Sequence, residues 1–146
     1  MLRQPPEKVY WIIWAALFSA IAVYALLAFS GVAGNPESSD ASQIEILAKI
    51  LGGIAALNLL IAFSVRRWVS NRDAIAEEVS LSRSSFSSFA AHMVSWALTE
   101  SVALFGLILA LRGAPREWWL LLMAGSAVAM LLLRPHLPED REISPR

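Results

Sequence analysis

Long apolar runs dominate this chain: residues 9–30, 44–65 and 89–111 each carry few charges, and a shorter run, 118–133, follows. A helix needs roughly 20 mostly apolar residues to cross the hydrocarbon of a bilayer, about 30 Å thick. Backbone amides in lipid must find partners within their own segment, so runs of this kind are read as helices. Composition agrees, since 57% of residues are hydrophobic and 16% are charged, which is too apolar for an ordinary soluble domain. The expected fold is therefore all-α: an integral membrane bundle of four transmembrane helices over 1–134, closed around the second and third, followed by a polar, Pro-punctuated tail at 135–146. The fourth run is short, about 24 Å at about 1.5 Å per residue, and needs Glu117 and Arg134 at the two interfaces. The first run exceeds the roughly 7 to 15 apolar residues of a signal peptide, so it reads as a retained helix.

Basic residues set the orientation. Arg3, Lys8, Arg66, Arg67, Arg72, Arg83, Arg134, Arg141 and Arg146 fall on one side of such a bundle, whereas the other side has only Arg112 and Arg116. The positive-inside rule then places both termini in the cytoplasm, in a multi-pass protein of the inner (plasma) membrane. Between the second and third runs, SNRDAIAEEVS has the pattern of a short interfacial helix capped by Ser70 or Asn71, and LSRSSFSSF that of a Ser-rich connector or the frayed start of the third helix. A net charge of zero without a basic block argues against nucleic acid as a partner, and the absence of cysteine excludes disulfides and thiolate sites. The lipid bilayer is the partner the composition demands.

Glu100 is the residue that least belongs. It lies midway between Ser88 and Leu111, at the middle of the third run. An ionised carboxylate at that depth is costly unless it is paired, hydrated or protonated, and such residues face a bundle interior or a water-filled cavity. Its neighbours one turn away are Trp96, Ala97, Ala103 and Leu104; the alanines permit close approach of another helix, and the Trp96 indole is within reach as a donor. Ser88, His92, Ser95 and Thr99 follow a single-face spacing, and draw a polar line towards Glu100 from the cytoplasmic edge. One reading makes that line an access path to a proton or cation site. The other makes the hydroxyls helix-packing groups, His92 an interfacial histidine, and Glu100 half of a structural ion pair.

The second run holds the partners that choice turns on. Lys49 shares a face with Gly52, Gly53 and Ala56, a surface suited to close helix packing, and Asn58 projects about 180° away from it. Only one of Lys49 and Asn58 can meet Glu100 from a straight helix. Gly106 adds a further small residue to the third run.

The segment ESVALFGLILAL, from Glu100 to Leu111, resembles the carboxylate-bearing helix of the rotor-ring proteolipid (subunit c) of rotary ATP synthases, including the aromatic-Gly-aliphatic step at Phe105, Gly106 and Leu107. The resemblance implies that Glu100 corresponds to the ion-binding carboxylate and that the chain works in a homo-oligomer or a larger membrane complex. The whole chain is similar to an uncharacterised four-helix bacterial inner-membrane protein family. No phosphate-cradling loop, metal-ligand motif or acid-base pair is present, so the expectation is a non-enzyme without cofactor or metal. The alternative to an ion-binding subunit is a non-catalytic accessory or assembly subunit whose buried polar residues are structural.

Overall fold

The computed structural model describes residues 7–30, 41–79 and 85–135, and these fold into four helices: α1 (Glu7–Phe29), α2 (Ala41–Val79), α3 (Ser85–Leu111) and α4 (Arg116–Leu132). Three contain stretches long and apolar enough to cross a membrane, Lys8–Phe29, Ala41–Val69 and Phe89–Leu111, which marks the chain as a membrane protein. The 31–40 loop and the 136–146 tail lie outside the described residues, as do the side chains of Ser70 and Ser88.

Two expectations are corrected. No loop interrupts the chain after Val65, and SNRDAIAEEVS does not form a separate helix, because α2 continues unbroken to Val79. Between Ile54 and Val79 there is neither glycine nor proline to stop it, and Ala, Arg and Glu propagate a helix through the change from apolar to polar surroundings. The 39 residues of α2 span about 58 Å at about 1.5 Å each, far beyond the hydrocarbon thickness.

The second correction concerns the centre of the bundle. It lies at α3 rather than between α2 and α3: among the described residues α3 packs closely against α1, α2 and α4, whereas the backbones of α1 and α2 do not approach one another closely. Accordingly 44% of the apolar stretch of α3 is buried, against 11% in α1 and in α2. Ala55, Ala62 and Val69, spaced seven apart, turn the buried edge of α2 towards α3. That geometry sends the Lys49, Gly52, Gly53 and Ala56 face outward: a Cβ placed on either glycine meets nothing within 4 Å.

The seam between α3 and α4 is closer. At Gly106 an added Cβ would lie 2.9 Å from Met123 Cγ and 2.9 Å from the Trp119 carbonyl oxygen. The turn that brings α4 back is set by Gly113, whose φ of 75° suits a residue without a Cβ. Gly113 N donates to Ala110 O at 3.1 Å and Ala114 N to Leu109 O at 3.0 Å, the paired bonds of a Schellman C-cap, and Pro115 then prevents α3 from resuming.

Aromatic contacts fasten α1 at both ends. Near its start Tyr10 packs edge-on against Phe89, with ring centroids 5.1 Å apart, and against His92 at 5.9 Å. At its finish Phe29 meets Trp119 at 5.1 Å, with the Arg116 guanidinium 4.9 Å above the Phe29 ring.

Candidate functional site

Glu100 is half-buried on the edge of α3 that faces α1. Its carboxylate accepts a hydrogen bond from the Tyr24 hydroxyl of α1 at 2.5 Å. Tyr24 was not singled out from sequence, because a tyrosine in an apolar helix is ordinarily read as an interfacial anchor. Among the described residues no lysine, arginine or histidine lies within ion-pair distance of Glu100.

Lys49 lies elsewhere: its ammonium donates to Glu45, one turn back on α2, at 2.7 Å. Two geometric facts keep it from Glu100. It sits on the outward face of α2, and along the axis it is displaced by about 13 Å from Asn58 at about 1.5 Å per residue. Asn58 marks the level of the carboxylate, since its amide donates to the hydroxyl of Ser101, the residue after Glu100, at 2.8 Å. Ser101 in turn donates to Leu98 O at 2.7 Å.

Glu100 and Ser101 are separated by about 100° around α3. Between them lie Ala97 and Ile108, both exposed, and Leu104, half-buried. The Tyr24–Glu100 bond lies on the α1 side of this strip of α3 and the Asn58–Ser101 bond on its α2 side.

The polar line expected to lead to Glu100 turns instead towards α2 and α4. Ser95 is buried and donates to Ala62 O of α2 at 3.2 Å and to Ala91 O at 2.9 Å. Thr99, fully buried, donates to Ser95 O at 2.8 Å, and the Thr99 carbonyl accepts from Ser126 of α4 at 2.7 Å. Bonds of this kind between transmembrane helices contribute about 0.6 to 2 kcal/mol each. His92 is half-buried against Tyr10 and Trp96, with centroids 5.9 Å from each ring. Ala103 is buried, and Ala97 faces outward.

The Trp96 indole does not reach the carboxylate. It donates to Leu133 O at 2.8 Å and takes part in a clamp on the end of α4. Arg66 of α2 donates to the same Leu133 O at 2.7 Å and to Arg134 O at 3.3 Å, and Trp14 of α1 donates to Met130 O at 3.0 Å. The last carbonyls of a helix lack partners within it and carry the negative end of its dipole, so a guanidinium and two indoles from three different helices are chemically apt there. Arg66, counted in the sequence among the bases on the cytoplasmic side, lies within α2 and is half-buried. The signal available was its place one heptad step from Leu59 on the inward side of the helix.

Comparison of the chain with protein-family models, with curated proteins and with solved structures finds no match.

Proposed function

We propose that this chain is a small multi-pass membrane subunit that binds a proton or a cation at Glu100. One observation supports this above others: Glu100 is a half-buried acid whose partner is the neutral hydroxyl of Tyr24, with no cation in ion-pair range among the described residues. A carboxylate at mid-membrane without a countercharge has to be offset by a proton, a cation or water. A half-buried acid at the edge of the bundle suits a contact with a neighbouring subunit, which supports a proteolipid-like role in a homo-oligomer or a larger ion-translocating assembly.

In this reading α4 also crosses the bilayer. It packs along α3 from Trp119, against Gly106, to Leu133, beside Trp96, and its arginine-bearing ends reach the two interfaces. Both termini then face the cytoplasm from the inner membrane, as the distribution of arginine requires.

A second reading, an accessory or assembly subunit without catalysis, has its own support. Asn58, Ser95 and Ser126 each bond across a helix interface, so polar groups in this bundle serve packing. Carbodiimide labelling in native membranes separates the two, since these reagents attack protonated carboxyls in apolar surroundings. The ion-binding reading expects labelling at neutral pH that Glu100→Gln abolishes, and protection by Na⁺ if the bound species is a cation. Absence of labelling at every pH tested would leave the packing subunit.

A further inference from the structure

The outward face of α2 bears an exposed salt bridge near the start of its apolar stretch. Lys49 Nζ lies 2.7 Å from Glu45 Oε1, with 72% and 55% of the two side chains exposed, and both fall within Ala41–Val69. Beside it an open groove of about 260 Å³ runs between α2 and α4, lined by Lys49, Gly52, Leu109, Trp118, Leu121 and Leu122.

The charges on this face match a copy of the face itself. Glu45 and Lys49 are one turn apart and sum to zero, so a two-fold axis along the membrane normal lets each acid meet the base of the other copy. Such an isologous contact requires self-complementary shape as well. With Lys49 taken as the middle of the face, Gly52 and the groove lie about 60° to one side, whereas Ile46 lies about 60° to the other. The two-fold brings those opposite sides together. Ile46 is 59% exposed and its side chain has no seat in its own chain. At the centre Gly52 and Gly53 leave open space, and Ala56 is exposed, so two backbones can approach closely.

We propose that this face is a homodimer interface: two copies pack α2 against α2 at Gly52, Gly53 and Ala56, exchange their Glu45 and Lys49 partners, and insert Ile46 into each other's groove. The face lies on the side of α2 away from α3, whereas Glu100 lies on the α1 side of α3, so dimer formation and carboxylate chemistry are separable by mutation.

The chain contains no cysteine, which makes single-cysteine cross-linking in native membranes direct. Gly53→Cys and Ala56→Cys are expected to give a disulfide-linked dimer on oxidation, and Val23→Cys, on the outward face of α1, is expected to give at least tenfold less. At Gly53 an added Cβ meets nothing within 4 Å and the position is exposed, so Gly53→Leu is expected to fold and to reduce trapping through Ala56→Cys at least tenfold. Copies carrying Glu45→Lys and copies carrying Lys49→Glu should each dimerise poorly alone and pair with each other when co-expressed, an outcome that pairing within one chain does not produce. Failure of Gly53→Cys and Ala56→Cys to cross-link, cross-linking only to a different protein, or trapping unaffected by Gly53→Leu would each overturn the proposal.

Discussion

Replacing Gly106 with alanine probes the seam on which the position of α4 depends. The new Cβ would sit 2.9 Å from Met123 Cγ, 2.9 Å from Trp119 O and 3.4 Å from Leu122 Cβ. A methionine side chain can rotate away, but the Trp119 oxygen belongs to the backbone of α4, so relief requires the two helices to separate by a few tenths of an ångström. Overpacking of this kind costs about 1 to 3 kcal/mol. Gly125→Ala is the matched control, because it also lies inside a helix and its added Cβ meets nothing within 4 Å. Both changes gain the same helix propensity, about 1 kcal/mol, so the difference between them isolates the steric cost. Gly106→Ala should therefore be less stable than Gly125→Ala by about 1 to 3 kcal/mol, a factor of roughly 5 to 150 in the folding equilibrium. Unfolding of the protein in bicelles by increasing SDS, followed by helical circular dichroism, gives that number. Equal stabilities, or a more stable Gly106→Ala, would refute the close α3–α4 approach.

Three further outcomes follow from the geometry. Tyr24→Phe removes the donor to Glu100; carbodiimide labelling of Glu100 should change several-fold in rate, with a stability loss of about 1 kcal/mol, and an unchanged labelling rate would mean that the hydroxyl does not govern access to the acid. Arg66→Met removes the guanidinium from Leu133 O and Arg134 O; SDS titration should show a loss of about 1.5 to 3 kcal/mol, with Arg66→Lys recovering less than half of it because a single ammonium does not reproduce the planar fork. Gly113→Ala forces a Cβ onto a φ of 75° and should cost about 1 to 2 kcal/mol, whereas Gly113→Asn should cost less in the same assay.

Glu100 stood out in the sequence because a carboxylate in the middle of an apolar run has no ordinary explanation in lipid. Its partner did not, for Tyr24 is far away in the chain and tyrosine is common near membrane surfaces. The choice between Lys49 and Asn58 shows the same limit. Periodicity established that they face opposite ways on α2, but the side that meets α3 depends on which side buries more; Ala55, Ala62 and Val69 carry that decision. Thr99 and Ser95 lined up on one face as the spacing indicated, and tertiary packing determined that this face meets α2 and α4, not the carboxylate. Arg66 was counted among the cytoplasmic bases because it follows the second apolar run; a half-buried guanidinium on the end of another helix is a relation between elements that no local pattern records.

Local chemistry by itself thus determined which segments are helical and apolar enough to cross a membrane, since lipid leaves a backbone no alternative to satisfying its own hydrogen bonds. The acid at the middle of α3 was legible for a related reason, the cost of charge in hydrocarbon. Tertiary structure alone decided that α3 is the central helix, that Tyr24 of α1 holds Glu100, and that three helices converge on the end of α4. Those outcomes depend on which faces meet, and in a bilayer, where every face is apolar, hydrophobicity does not choose among them; small residues and buried hydrogen bonds do.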